Sequence, residues 1–150
     1  MMRKFIIALM LVMPLPTLAN CWEQAAARHG VDPLLLKAIA WKESRGNPHA
    51  VGPILGDGNV AIGLMQINTI HLPDLKQSGI TRQHLFDACV SQQVGARILA
   101  DCIAQFGMVW KAVGCYFTGP NSSNVAAQSD YVRDVKKFYA GYQRQLSQSR

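Results

Sequence analysis

Apolar residues recur every three or four positions along most of this 150-residue chain, and one stretch departs from that spacing. A repeat of this length is that of one face of an α-helix. Residues 51–63 instead combine several glycines with Pro53, which favours a loop or a small hairpin with its tightest turn at Asp57-Gly58. We therefore predict a mainly α fold with a small loop or β-hairpin segment near 51–63.

Helix-capping and helix-breaking residues set the limits of the predicted helices. Gly30 should end the first helix, and Gly107 should end the longest one, which begins at Ser91. The predicted helical segments are 22–28, 32 to about 44, 67–70, 81–85, 91–106, 109–117 and a last helix that opens at Ser129 or Asp130.

The second predicted helix carries an acidic side chain on its apolar face. Leu36 and Ile39 lie seven and four residues before Glu43, so the carboxyl group shares their stripe. Burial and the carbonyl-rich end of a helix both raise the pKa of a carboxyl group, which makes Glu43 a candidate general acid. The alternative is a solvated side chain at the end of a surface helix, paired with Lys42 or Arg45.

The first nineteen residues have the pattern of a secretory signal peptide. Arg3 and Lys4 precede the apolar run 5–13, which is too short to cross a bilayer permanently. We expect cleavage after Ala19, which leaves one periplasmic domain at 20–150 and no stable membrane span. An uncleaved anchor, a buried core helix and a lipoprotein are the alternatives, although the residue before Cys21 suits lipid attachment poorly.

The length and charge of the remaining chain limit its classes of partner. About 130 residues can bury a single core, so no second domain is needed. Loss of Arg3 and Lys4 lowers the formal net charge from +6 to +4, which suits an acidic polymer such as a cell wall or a membrane surface. No run of basic residues is interleaved with aromatic ones, so we do not expect nucleic-acid binding. We expect a monomer.

Four cysteines remain after the predicted cleavage. In an exported protein they favour two disulfides, for which three connectivities exist. Cys102 and Cys115 flank Gly107 on two adjacent predicted helices, so we favour that pair and, by remainder, Cys21 with Cys89. Metal binding is the competing interpretation, but no Cys-x-x-Cys pair is present and the histidines are scattered. We expect no metal and no cofactor.

Four ordered motifs carry a resemblance to a known family. They are Glu43-Ser44, the run 63–68 (Gly-Leu-Met-Gln-Ile-Asn), the run 115–119 (Cys-Tyr-Phe-Thr-Gly) and Tyr131. Together they resemble the soluble lytic transglycosylase (SLT) family, whose catalytic domain has a goose-type, lysozyme-like fold. The chain most resembles the small specialised members encoded with type III secretion, conjugation and pilus systems, the IagB and IpgF type.

The resemblance implies an activity on peptidoglycan. Family members cleave the β-1,4 bond between N-acetylmuramic acid (MurNAc) and N-acetylglucosamine (GlcNAc) without water. Glu43 would protonate the leaving oxygen and then accept the proton of the muramyl C6 hydroxyl, which attacks C1 and leaves a 1,6-anhydro end. The N-acetyl group of the substrate can stabilise the developing cation, so a second carboxylate is not obligatory.

The resemblance also implies substrate-binding roles. Gly63 would let the backbone approach the sugar, Leu64 and Met65 would pack beneath it, and the Gln66 amide would bind an N-acetyl or hydroxyl group. Ser44 would orient the substrate or the acid, unless it only caps the local chain.

Two tyrosines match the cleft tyrosines of the family. Tyr116 and Tyr131 would hydrogen-bond to sugars or stack on them; the alternative for both is a core tyrosine with a satisfied hydroxyl. The family usually has Asn after the first tyrosine, whereas this chain has Phe117, which calls a polar substrate contact into question.

Asp57 is a candidate second carboxylate. It lies fourteen residues after Glu43, where hen-type lysozymes place their second acid. A carboxyl group about 5 to 9 Å from that of Glu43 could stabilise the cation or position a water, which would permit hydrolysis. The alternative is a turn-forming Asp before Gly58.

Two biological roles fit this sequence. One is an enzyme that opens the wall locally for a secretion system, a conjugation apparatus or a pilus. The other is a wall-binding or secretion-scaffold protein that uses the same cleft without turnover.

Overall fold

The computed structural model describes residues 18–107 and 109–149, and in this part of the chain the fold is mainly α, as predicted. The helices are α1 (Leu18–His29), α2 (Pro33–Ser44), α3 (Leu72–Gln77), α4 (Ala88–Phe106), α5 (Val109–Thr118) and α6 (Val125–Gln148). The strands are β1 (Ala61–Ile62) and β2 (Ile67–Asn68), and 3₁₀ turns occupy Thr69–His71 and Gln83–Phe86.

Helix α2 has well-defined ends, which fixes the position of the residues in its last turn. The Leu34 N–H donates to the Asp32 carboxylate at 2.7 Å, and Pro33 occupies the first turn. Arg45 ends the helix in a left-handed conformation (φ 55°), with its N–H bonded to the Trp41 carbonyl. Glu43 therefore lies in the final turn.

Side chains from the helices α1 to α6 and from the hairpin form the core. Helix α2 packs between α1 and α6, and α4 packs against α1 and α5. The large side chains at the centre are fully buried and include Leu36, Ile39, Met65, Leu99, Val113 and Val135. Because α2, α4, α5 and α6 all meet around this core, their ends can build a common site.

The glycine-rich segment is mostly a loop, one of the two predicted alternatives, and the hairpin overlaps only its end. Strands β1 and β2 pair antiparallel, with Ile62 opposite Ile67, and the Gly63–Gln66 motif forms the turn between them. Residues 52–60 form a loop, and Val51 adds one bridge to Ile62. Both central isoleucines are buried, and their contacts with the core place the hairpin at 61–68.

The extents of the two longest helices were predicted wrongly. The last helix begins at Val125, because Asn124 accepts the Ala127 N–H and caps it ahead of Ser129 and Asp130. That earlier start makes α6, with 24 residues, longer than α4, with 19. Helix α4 itself begins before Ser91, because Asp87 caps it.

Two shorter segments also differ from the prediction. Residues 67–70 form the second strand and the start of a 3₁₀ turn, because Ile67 pairs with Ile62. Helix α3 was missed; it has six residues, of which only Leu75 is buried, so it carries almost no periodic signal.

Two disulfides cross-link the helices. Cys21 on α1 is bonded to Cys89 on α4, with Cα atoms 5.4 Å apart. Cys102 on α4 is bonded to Cys115 on α5, with Cα atoms 5.9 Å apart. Cys102–Cys115 is the pair that the spacing favours, and Cys21–Cys89 is the pair predicted by remainder.

The predicted signal peptide, 1–19, lies almost wholly outside the described residues and stays a prediction. Within 18–107 and 109–149, no helix has both the length and the hydropathy needed to span a bilayer.

Candidate active site

A groove of about 310 Å³ opens where the end of α2 meets the hairpin, α4 and α5. Its walls combine apolar side chains with a few polar ones, a composition typical of ligand sites. The lining residues are Glu43, Leu55, Ala61, Gln66, Ile67, Asn68, His71, Ile98, Tyr116 and Phe117.

Glu43 is the acidic residue of this groove. Its carboxylate accepts a hydrogen bond from the Tyr131 hydroxyl of α6. Burial raises the pKa of Glu43 from 4.5 to about 7, although the Tyr131 hydrogen bond and the charge of Lys42 both lower it. The side chain therefore exchanges its proton near neutral pH.

The cations next to Glu43 in sequence are engaged elsewhere. The Lys42 ammonium group donates to the Asp134 carboxylate at 2.6 Å. The Arg45 guanidinium lies over the rings of Trp41 and Phe138, 5.9 and 5.0 Å from their centroids. The alternative of a solvated Glu43 paired with Lys42 or Arg45 is thus not what the structure contains.

Ser44 ties the end of α2 to the hairpin turn. Its hydroxyl lies 2.7 Å from the Leu64 carbonyl and 3.2 Å from the Ala40 carbonyl, within its own helix. Because Ser44 is adjacent to Glu43, this bond holds the hairpin turn next to the acid.

The first residue of the turn must be glycine for a reason within the protein. Gly63 has φ +80°, and a Cβ atom built on it would lie 2.1 Å from the Leu85 carbonyl oxygen. The space that the missing side chain leaves is therefore filled by the chain near Leu85, rather than kept open for a sugar. This differs from the reason that the family resemblance implies.

The next two residues of the turn belong to the core. Leu64 and Met65 are buried, and the Met65 N–H donates to the Ser91 hydroxyl at 3.0 Å. Neither side chain lines the groove; both are part of the hydrophobic core. By anchoring the hairpin turn in the core, Leu64 and Met65 support the part of the groove that this turn forms.

Gln66 reaches the groove with part of its hydrogen-bonding capacity already used. Its amide N–H groups donate to the carbonyls of Gly63 and Ala50, at 3.0 and 3.2 Å. The amide oxygen has no such bond to the backbone and can accept one from a ligand. The backbone of Gln66 is left-handed (φ 47°), which these bonds help to hold.

The two motif tyrosines differ in their relation to the groove. The Tyr116 hydroxyl donates to the Met65 carbonyl at 2.8 Å, and its ring lines the groove. Tyr131 is only 3% exposed, donates to Glu43 and is not among the residues that line the groove. Burial, and then the nearby Glu43 charge, raises the pKa of both hydroxyls well above the usual value, so both stay protonated.

Asp57 lies apart from this constellation. It sits at an exposed loop tip, where its carboxylate accepts from the Asn59 N–H at 2.9 Å and from the Asn59 side chain at 3.0 Å. These hydrogen bonds lower the pKa of Asp57. Its position and bonds are those of a turn-forming residue, and it is not among the residues that line the groove.

Sequence reasoning missed His71 as a groove residue. It ends the 3₁₀ turn that follows the hairpin, and burial, together with the charge of Arg97, lowers its pKa, so it is neutral at pH 7. Asn68 caps this turn, and His71 follows it by three residues, which is one turn of a 3₁₀ helix. That spacing is the sequence signal that could have placed His71 next to Asn68 in the groove. Among the described residues, no three His, Cys, Asp or Glu side chains are grouped as metal ligands.

Comparison with known proteins identifies the family. Residues 20–139 match the family described as Transglycosylase SLT domain. The chain belongs to this family. Its members are peptidoglycan lytic transglycosylases, and the chain is an enzyme of that class.

Several curated proteins from enteric bacteria are similar over most of their length. The chain is 38% identical to Invasion protein IagB of Salmonella typhi over 136 residues, covering 90% of this chain and 84% of that protein. It is 35% identical to the X polypeptide of Escherichia coli (93% and 85%) and 32% identical to Protein IpgF of Shigella sonnei (92% and 91%).

A solved structure shares the fold. An inactive mutant of the lytic transglycosylase Slt from Pseudomonas aeruginosa superposes with a TM-score of 0.68 over 86% of this chain, at 21% identity. The chain corresponds to about a quarter (24%) of that longer protein. The lysozyme-like fold predicted from the motifs is thereby confirmed.

Proposed function

We propose that this transglycosylase cleaves the β-1,4 bond between MurNAc and GlcNAc in the periplasm, with Glu43 as the one acid and base. The observation that carries the proposal is a single groove carboxyl group whose pKa is about 7. A group with that pKa is roughly half protonated at neutral pH, so it can both give and accept a proton there.

In the first step, protonated Glu43 donates its proton to the glycosidic oxygen. The C1–O bond of MurNAc breaks, the GlcNAc-containing product leaves with that proton, and positive charge develops at C1. Glu43 is now a carboxylate, and the Tyr131 hydroxyl that donates to it stabilises the charge. The hydrogen bond is thus stronger after the proton has left than before.

In the second step, the Glu43 carboxylate takes the proton of the C6 hydroxyl of the same MurNAc residue. The C6 oxygen forms a bond to C1, which closes the 1,6-anhydro ring and returns Glu43 to its protonated form. The protons balance over the two steps, and no water is consumed.

The position of Asp57 argues against hydrolysis by a pair of carboxyl groups. Most retaining and inverting hydrolases use a second carboxylate facing the scissile bond, about 5 to 9 Å from the first. Asp57 instead keeps its carboxylate on Asn59 at an exposed loop tip. Substrate assistance by the N-acetyl group supplies the stabilisation that a second acid would give.

Product analysis of digested sacculi tests the chemistry. We expect the wild-type protein to release muropeptides that are lighter by one water than the products of a hydrolase, as read by mass spectrometry. Glu43→Gln should release none while still sedimenting with sacculi, and Asp57→Asn should leave the yield of anhydro products unchanged. Reducing-end products from the wild type, or full activity of Glu43→Gln, would overturn the assignment.

The biological role proposed here is local opening of the wall for a secretion system, a conjugation apparatus or a pilus. Export through the predicted signal peptide, 1–19, would place the enzyme at its substrate. The name of one relative, Invasion protein IagB, supports a secretion-associated role. Chromosomal Glu43→Gln separates the enzyme from a scaffold: loss of secretion supports wall cleavage, whereas normal secretion with the inactive protein supports a scaffold.

A further inference from the structure

Phe117 stands where the groove meets a second, shallower hollow. It lies in the last turn of α5 and lines both the Glu43 groove and a hollow of about 200 Å³ beside it. The other residues of that hollow are Lys42, Ala127, Asp130, Tyr131 and Asp134. Phe117 is therefore the side chain that a glycan strand would meet when it continues from one depression into the next.

The orientation of this ring is fixed on one side. The rings of Phe117 and Tyr131 are parallel within 5°, with centroids 4.5 Å apart, and Tyr131 is buried and bonded to Glu43. Phe117 is nevertheless 50% exposed. Because Tyr131 covers one face, the exposed area of Phe117 lies on the opposite face and on the edges of the ring.

The location of this exposed ring, rather than its exposure alone, points to a ligand. Single exposed apolar side chains are normal on a protein surface. Phe117, however, lines the groove that contains Glu43, where a bound ligand would cover its free face. In a β-linked pyranose, the axial C–H groups form a flat apolar face and the hydroxyl groups point outward around the ring edge. A rigid aromatic face next to polar side chains matches both features.

We propose that Phe117 is a sugar-binding residue whose free face packs against a pyranose ring of the glycan strand, next to the acid Glu43. The inference rests on the proposed function for the identity of the glycan. Around the apolar contact, the free amide oxygen of Gln66 and the side chains of Asn68 and His71 are the polar groups of the groove that the sugar hydroxyls can reach.

The size of the groove agrees with a short bound segment. Its volume of about 310 Å³ is at the small end of the range for ligand sites, roughly 300 to 1,000 Å³. In so small a site, one aromatic contact is a large part of the apolar surface available to the ligand. Loss of the flat face should therefore weaken binding measurably.

The test measures binding in the Glu43→Gln background, so that no turnover occurs. The probe is a set of length-fractionated glycan strands freed of stem peptides by an amidase, titrated by calorimetry. Glu43→Gln/Phe117→Leu keeps apolar volume but lacks a flat face, and we expect its Kd to rise roughly three- to tenfold. Glu43→Gln/Phe117→Trp restores a flat face and should bind within about twofold of the parent.

A second readout separates sugar binding from an indirect effect through Tyr131. In the active background, Phe117→Leu should raise KM more than it lowers kcat and should leave the pH dependence of kcat/KM in place. Equal binding by the Leu variant, equal loss in the Trp variant, or a shifted pH profile would each overturn the proposal. Thermal unfolding of each variant checks that the fold is retained.

The two proposals fail in different ways. If the wild-type protein releases no anhydro products, the proposed function fails, and the binding comparison still decides whether Phe117 contacts glycan. If anhydro products appear and the Leu variant binds as the parent does, only the role of Phe117 is lost.

Discussion

Glu43 combines two properties that a helix carboxyl group seldom has together: it is largely buried, and it faces a groove. Burial alone would favour the neutral form, and the hydrogen bond from Tyr131 stabilises the charged form. The balance leaves the pKa at about 7, within the range where one group can serve as both acid and base. Burial therefore raises the pKa of Glu43, and the Tyr131 hydroxyl limits how far it rises.

Removal of that hydroxyl should move the pH profile. In Tyr131→Phe the hydrogen bond to Glu43 is lost, so the pKa of Glu43 rises and the fall of kcat/KM at high pH moves to higher pH. The ring is kept, and with it the stack on Phe117. Tyr142→Phe, a half-buried tyrosine outside the groove, is the control; a profile that moves equally in both variants contradicts the role of Tyr131.

The same pKa predicts how stability depends on pH. Glu43 binds its proton more tightly in the folded protein than in the unfolded chain, so the folded protein loses stability as pH rises from about 4.5 to about 7. The loss amounts to about 3 kcal/mol at most, because 2.5 units separate the two pKa values. Glu43→Gln should lack this loss, so its stability relative to wild type should rise between pH 4 and pH 8.

Urea unfolding at both pH values measures the difference. A constant difference between Glu43→Gln and wild type across that range would show that the Glu43 carboxyl group has an ordinary pKa. Both proteins should be compared with their disulfides intact, since their unfolded states must match.

At the level of elements, the site depends on how the hairpin turn is held. Ser44 bonds the turn to α2, Ser91 bonds it to α4, and Tyr116 bonds it to α5. Each of these bonds goes to a backbone atom of Leu64 or Met65. Side chains from three helices thus hold the backbone of the turn in place. The turn in turn holds Gln66 at the groove.

A pair of glycine substitutions isolates this close packing. Gly63 and Gly58 have nearly the same backbone, with φ +80° and +79°, but a Cβ atom at 63 would meet the Leu85 carbonyl, whereas nothing lies within 4 Å at 58. Gly58→Ala should cost about 1 kcal/mol of unfolding free energy. Gly63→Ala should cost about 3 kcal/mol or more.

Chemical denaturation provides the comparison. Equal losses in Gly58→Ala and Gly63→Ala would mean that the left-handed backbone is the whole effect and that the approach to Leu85 does not matter. Activity should fall in the Gly63 variant and remain in the Gly58 variant.

What the sequence could predict followed from local spacing. The buried face of α2 and the place of Glu43 on it follow from residues four and seven positions apart, and the start of α2 follows from its cap, Asp32. The cap of α4 at Asp87 was not predicted, since that helix was expected to begin at Ser91. The partner of the acid could not be found this way, since Tyr131 is 88 residues from Glu43 and meets it only after α6 packs on α2. Asp57 likewise bonds to Asn59 and does not face the groove because of the loop conformation. A loop has no repeating pattern of apolar residues, so the sequence could not predict this orientation.

Over the whole molecule, the disulfides close loops of very different length. Cys21–Cys89 spans 68 residues and joins the start of the fold to α4, whereas Cys102–Cys115 spans 13 residues between neighbouring helices. A cross-link that closes a longer loop removes more entropy from the unfolded chain. The first bond should therefore stabilise the fold more than the second.

Paired alanine substitutions test this order. Loop-closure entropy gives a cost of about 4 kcal/mol for Cys21→Ala/Cys89→Ala and about 3 kcal/mol for Cys102→Ala/Cys115→Ala. Urea unfolding of the two double variants under oxidising conditions measures both losses. A greater loss for the short-loop pair would show that local packing between α4 and α5 outweighs chain entropy.

The most direct measurement of the acid–base role is a carbon-13 NMR titration of the Glu43 side-chain carboxyl group, assigned by its absence in Glu43→Gln. A midpoint near pH 7 is the predicted result, because burial holds the proton on this group in the folded protein. A midpoint near 4.5, the value of an exposed glutamate, would show an ionised side chain at neutral pH that has no proton to give to the glycosidic oxygen.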